Sequence, residues 1–200
     1  MARTNSFVND IAEFLEQNRY FYSRKGRWSV SEKKLEAMSV WKDISSGKGV
    51  YVSRVRKMYE MVPKTGEGAV VKRGSAKLLD AAGPDELLTY DKLVKEFGLL
   101  APISTDQTDI IRLSEEEKIY IRSVERRGES IYKEPRIKIS TIHAMKGGED
   151  DNVAVYLGST KACVEGKHPE DEDRIFYVAV TRAKQNLYLI ESDKKYRYEI

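Results

Sequence analysis

The last third of the chain holds three short, β-branched apolar runs: RIKISTI (136–142), NVAVYLG (152–158) and NLYLIES (186–192). Runs of this length and composition read as strands. Between the second and third lies HPEDEDRIFYVAVTRAK (168–184). Its core, Ile175–Val180, read alone, could be a fourth buried strand. Pro169 stands where a first helical position belongs, and Glu170, Asp171, Glu172 and Asp173 load the first turn with negative charge. The segment is therefore expected as a helix with Ile175, Val178 and Ala179 on one face and Phe176, Val180 and Ala183 beside it. Strands joined through a helix run parallel, so the expected fold is α/β, with a parallel sheet flanked by helices.

The first two thirds are patterned differently. Phe7, Ile11, Phe14 and Leu15 recur at helical spacing behind the capping candidates Thr4 and Asn5. A second helix is expected from Ser31, carrying Leu35, Met38, Trp41 and Ile44 and stopped by Gly47, and a third from about Val50 to Met61. Short helices are expected in SAKLLDAAG and LTYDKLVKEFGLL. LSEEEKIYIRSVERRG (113–128) predicts a strong one, with Ser114 and Glu117 at capping-box spacing.

Composition limits the function classes. With 40% hydrophobic and 34% charged residues the chain can bury a core, and a net charge of only +3 gives no overall field for nucleic acid. Any such partner must use a local patch. The single cysteine, Cys163, permits no disulfide within the chain and suits a reducing, cytoplasmic setting. No apolar run reaches the roughly 18–20 residues of a membrane span, so no membrane is expected. Cys163, His143 and His168 show no metal-ligand or nucleophile spacing.

Arg182 closes the expected helix near the rim of the sheet. A cation there is favourable by about 0.3–1 kcal/mol, which is reason enough for an isolated arginine. It is not isolated, because STIHAMKGGE (140–149) also follows a strand and gathers Thr141, His143, Lys146 and Glu149 around Gly147 and Gly148. Adjacent glycines permit positive φ and close approach of a ligand.

TIHAMKGGE resembles motif V of the UvrD/Rep-type superfamily-one helicases, T-x-H-x-x-K-G-x-E. DEDRIFYVAVTRAK resembles their motif VI, in the right order and at a matching separation. Arg3-Thr4-Asn5 followed by an amphipathic helix resembles motif IV, and GRWSVSEKKLEAMSVWKDI (26–44) the segment after it. The resemblance covers residues 1–48 and 136–200. It implies a discontinuous second RecA-like motor domain over those residues, with 49–135 as a reduced, mainly helical insertion.

The resemblance also implies roles. ATP, with Mg2+, would sit between this domain and a first RecA-like domain of the same helicase. Arg182 would be the arginine finger, with Arg3 as a second γ-phosphate contact. Glu149 would bind the ribose beside Gly147 and Gly148. Thr141, His143 and Lys146 would face single-stranded DNA. Tyr177 and Arg174 match motif positions but suit packing or pairing with acids. No phosphate-binding loop G-x-x-x-x-G-K-[ST] occurs in the 200 residues: Gly47-Lys48 and Gly166-Lys167 are followed by Gly and His. The chain is thus expected to act as the C-terminal part of an ATP-dependent DNA helicase and to be inactive as an ATPase alone. The alternative is a stand-alone single-stranded nucleic-acid-binding or motor-docking module, which the aromatic and basic RYFYSRKGRW (19–28) would serve by stacking bases.

Overall fold

The computed structural model describes residues 1–83, 85–145, 147–166 and 170–199. In chain order its elements are α1 (Asn5–Gln17), β1 (Tyr22–Arg24), β2 (Arg27–Trp28), α2 (Glu32–Ser45), β3 (Val50–Tyr51), α3 (Val52–Met61), α4 (Ser75–Leu78), β4 (Leu87–Leu88), α5 (Tyr90–Glu96), α6 (Gln107–Ile110), α7 (Glu115–Arg126), β5 (Ile137–Ile139), β6 (Asp150–Tyr156), α8 (Lys161–Val164), α9 (Glu170–Val180) and β7 (Ala183–Ile190). Two compact units divide the chain, Met1–Gly26 with Pro135–Ile200 and Arg27–Glu134.

The first unit is α/β. Strands β1 and β5 pair parallel, Tyr22 opposite Ile137 and Arg24 opposite Ile139. Strands β6 and β7 also pair parallel, from Asn152 opposite Asn186 to Tyr156 opposite Ile190. The dipeptide Met1-Ala2 bonds to both pairs. Ala2 donates to the Ser140 carbonyl at 3.1 Å and accepts from Ile142 N at 2.9 Å, while the Met1 carbonyl accepts from Tyr156 N at 2.9 Å.

Helices cover two faces. Thr4 accepts from Phe7 N at 3.4 Å and caps α1, whose Phe7, Val8, Ala12 and Leu15 close over Tyr22 and Ile139. On β6, Val153 and Val155 pack against Phe176 and Ala179 of α9. Side chains alternate along a strand, so Tyr156 points the other way and meets Phe7 edge-on at 5.3 Å. Strand β6 is thus clad by α9 on one face and α1 on the other, while β7 leaves Leu187, Tyr188, Leu189 and Ile190 exposed.

The segment 170–180 is a helix, as its acidic first turn implies; Pro169 and His168 lie outside the described residues. Its buried stripe differs from the expected one. Glu172, Phe176 and Ala179 face the core, with Ile175 and Val178 flanking. Tyr198 stacks on Phe176 at 4.2 Å.

The second unit is mainly helical. Trp41 of α2 donates from Nε1 to the Thr105 carbonyl at 2.8 Å, and Arg54 of α3 reaches back to Glu36 at 2.9 Å and Asp43 at 3.0 Å. Ser31 occupies the cap position of α2 without a side-chain capping bond, and Val50 and Tyr51 pair with β4 before α3 begins. The capping box of α7 forms between Ser114 and Glu117. Residues 27–48 pack in this unit. Among the described residues no helix is long and apolar enough to cross a membrane.

Candidate functional site

The three motif-bearing segments all fall in the first unit, and hydrogen bonds join them pairwise. Ala2 bridges to Thr141 in parallel register. Arg3 Nε donates to Glu172 Oε1 at 2.7 Å, linking the N-terminal segment to the start of α9. At the other end of α9, Arg182 Nη1 donates to the Gly148 carbonyl at 3.4 Å and Asp150 N donates to the Arg182 carbonyl at 3.0 Å. The loop 140–149 is therefore held at both ends, once by Ala2 and once by Arg182.

Chain direction sorts these residues onto two rims. Strand β5 ends at Ile139 and β6 at Tyr156, so Thr141, Ser159 and Arg3 stand at the carboxyl ends of the strands. Helix α9 then runs back against β6, and β7 begins at Ala183, opposite Asp150. Arg182 therefore stands at the amino ends, and the rim reached by the helix end is this one. At 1.5 Å per residue, about 12 Å of helix axis separates Glu172 from Val180, the last residue of α9.

The amino-end rim holds Gly147, Gly148, Glu149 and Arg182. The guanidinium of Arg182 donates from Nε to the Val178 carbonyl at 3.0 Å and from Nη2 to Thr181 Oγ1 at 3.2 Å. All three acceptors, with Gly148, are neutral oxygens, at the end of a helix whose free carbonyls favour a cation. Glu149 is exposed, 3.8 Å from Lys184 Nζ. Gly147 has φ +85°, a conformation that only glycine adopts cheaply. A Cβ at Gly148 would lie 3.3 Å from the flexible end of Met145.

The carboxyl-end rim holds Arg3, Thr141 and His143. Thr141 Oγ1 accepts from Ala144 N at 3.3 Å and shapes the turn His143–Met145; His143 is exposed. Lys146 lies outside the described residues. Arg3 is pinned, with Nη2 also 2.7 Å from Glu172 Oε1 and the two side chains only 16% and 8% exposed. The second oxygen, Oε2, accepts from Ser159 Oγ at 2.9 Å. Glu172 and Ser159 were not singled out by the sequence. The available signal was spacing: Glu172 sits at i, i+4, i+7 with Phe176 and Ala179, on the stripe that is buried. Beside it, burial first and then the Asp173 carboxylate, which accepts from Tyr198 Oη at 3.0 Å, push the Tyr198 phenol up.

Other candidates behave as structure. Arg174 pairs with Asp171 at 3.3 Å on the surface. Tyr177 is 68% exposed. Cys163 is half-buried and accepts from Thr160 Oγ1 at 3.2 Å. In RYFYSRKGRW, Phe21 and Tyr22 are buried at 1% and 6% exposure, so these rings cannot stack on bases.

Motif segments of a helicase type thus meet on one α/β body, and the whole chain agrees with them. A model of the UvrD-like helicase C-terminal domain matches residues 5–194. The chain belongs to the UvrD-like helicase C-terminal domain family. Among curated proteins no match was found.

Proposed function

We propose that the chain is the second, RecA-like motor domain of an ATP-dependent DNA helicase, and that it depends on a first motor domain for ATP hydrolysis. The observation that carries this is the meeting of the loop 140–149 with the end of α9, through the Arg182 bonds to Gly148 and Asp150. Met1-Ala2, bonded to Ser140 and Ile142 on one side and Tyr156 on the other, supports a single parallel sheet of RecA type. The helical unit reads as an insertion in that discontinuous domain.

ATP suits the donors on the amino-end rim. A planar guanidinium matches the charge spread over the oxygens of a transferring phosphoryl group. Among the described residues Arg182 leans on neutral oxygens alone, so none of their carboxylates competes with phosphate for it. Glu149, exposed on the same rim, is an acceptor for ribose hydroxyls, and Gly147 and Gly148 let the backbone come close. When bound, the nucleotide supplies the bond that is hydrolysed. Its Mg2+ would be held by the partner domain that carries the phosphate loop.

By the motif IV resemblance Arg3 is a second γ-phosphate contact beside Arg182, and Thr141, His143 and Lys146 form the face towards single-stranded DNA. Hydroxyl, imidazole and ammonium donors position a phosphate backbone without reading sequence. A cytoplasmic setting fits this motor.

The test uses the complete motor, this chain with the domain that carries the phosphate loop. Arg182→Ala should lower ATP turnover by about 10³-fold or more while nucleotide affinity holds, and the 200-residue chain alone should show no magnesium-dependent ATPase. Unchanged turnover in the variant, or robust hydrolysis by the chain alone, would refute the reading.

A further inference from the structure

Four acids fill the first turn of α9, and one of them is buried. Glu170, Asp171 and Asp173 are exposed, and from the surface they already serve the helix dipole. Glu172 is 6% exposed. A buried carboxylate is costly unless it is paired and hydrogen-bonded, and here both oxygens are engaged. Oε1 takes Arg3 Nε and Nη2, each at 2.7 Å. Oε2 accepts from Ser159 Oγ at 2.9 Å. Ser159 is itself 3% exposed, with its N–H donating to the Tyr196 carbonyl at 3.0 Å.

Arginine presents five N–H donors in a rigid plane, and Glu172 uses only one edge of Arg3. Among the described residues Nη1 has no hydrogen-bond or ion-pair partner. The end-on edge, Nη1 with the second proton of Nη2, remains for another acceptor. We propose that Glu172 is a positioning residue for ATP hydrolysis: it sets the plane of the Arg3 guanidinium so that the end-on edge can take a γ-phosphate oxygen, with Ser159 locking the carboxylate. The inference rests on the proposed reading of Arg3 as a second γ-phosphate contact. Two N–H donors meet two oxygens only at a set plane and angle. An arginine free in solvent would lose rotamer freedom on binding that Arg3 has already lost. Helix α9 then serves both arginines, holding Arg3 through Glu172 in its first turn and Arg182 through the Val178 carbonyl in its last.

Charge and positioning predict opposite signs. An acid that acts through charge alone repels the γ-phosphate, so neutralising it would strengthen ATP binding. If Glu172 positions Arg3, neutralising it weakens that contact. The experiment uses the complete motor on saturating oligothymidylate and checks each variant by circular dichroism. It reads kcat together with the affinities for a non-hydrolysable ATP analogue and for ADP, whose ratio isolates the γ-phosphate. Arg3→Ala should lower kcat and the preference for the analogue over ADP, each on the order of 10-fold. Glu172→Gln should lower both by a smaller factor, leave ADP affinity unchanged and add nothing in the Arg3→Ala background. Ser159→Ala leaves the ion pair in place and should shift both readouts the same way, less far; it decides the matter should Glu172→Gln not fold. Wild-type kcat and preference in Arg3→Ala would remove the γ-phosphate reading of Arg3 itself. Loss in Arg3→Ala with an equal or higher preference in Glu172→Gln would overturn the positioning role alone. So would additive losses in the double variant, equal weakening of analogue and ADP, or wild-type values in Ser159→Ala where Glu172→Gln does not fold.

Discussion

Arg182 directs its guanidinium to neutral oxygens of Val178, Thr181 and Gly148, whereas Arg3 is committed to a carboxylate. The two arginines look alike in sequence and differ in what a ligand must displace. A phosphate competing for Arg182 replaces dipoles; at Arg3 it must share. Arg182→Lys separates charge from shape. Lysine keeps the cation and loses the fork, so turnover in the complete motor should fall towards the alanine level, measured as kcat at saturating ATP; near wild-type kcat would mean that charge alone suffices. The position of Arg182 was legible, because the acids of 170–173 and the apolar stripe define a helix ending there. The pairing of Glu172 was not. Four consecutive acids look equivalent to a helix dipole, and only Arg3, 169 residues away in sequence, distinguishes the third of them.

Elements held by their own sequence were readable, and those held by pairing were not. Helix α7 formed with the capping box that Ser114 and Glu117 announce, Ser114 Oγ accepting from Glu117 N at 3.2 Å and Ser114 N donating to Glu117 Oε2 at 3.0 Å. Strands β3 and β4 are two residues each and exist only because Val50 faces Leu88 and Tyr51 faces Leu87. The stripe of α9 centres on Phe176, where a ring from the C-terminal segment, Tyr198, also stacks. The capping box also makes a pH prediction. Burial raises the Glu117 pKa, but the Lys34 hydrogen bond, the Ser114 N–H and the Lys34 charge outweigh it, so the folded carboxyl lies below its ordinary value. A depressed folded pKa contributes stability above the unfolded value, about 4.3, and that contribution fades as pH falls through the folded pKa. Urea midpoints of Glu117→Gln should lie below wild type at neutral pH and converge with it in acid. Curves that stay parallel from pH 7 to pH 3 would exclude the carboxylate as the source.

At the scale of the whole molecule, the α/β class was legible because its strands cluster in the last third of the chain, where period-2 runs alternate with one strong helix. The extent of the helical unit was less so. Residues 27–48 resemble motor-domain sequence, yet Leu35, Met38, Trp41 and Ile44 bury their side chains in the unit that spans Arg27–Glu134. Periodicity shows that a helix has an apolar face; it does not say which core that face joins. Tyr59 makes the same point, its hydroxyl donating to the Phe97 carbonyl at 3.0 Å inside that core, a partner 38 residues away.

The parallel pairing of Arg24 with Ile139 has a kinetic side. The first unit cannot close until a loop of more than a hundred residues has been brought back, a non-local contact that slows folding. Entropy rises slowly with loop length, but a loop that has already become compact closes more readily than a coil. The helical unit is therefore expected to form first and to carry the two halves of the first unit towards each other. Pulse-labelled hydrogen exchange during refolding should show amides of α2, α3 and α7 protected before those of β1 and β5. Simultaneous protection would mean that both units fold in one step. In that sequence of events the inserted unit serves as a folding scaffold, and substitutions in its core would delay assembly of a site to which they contribute no side chain.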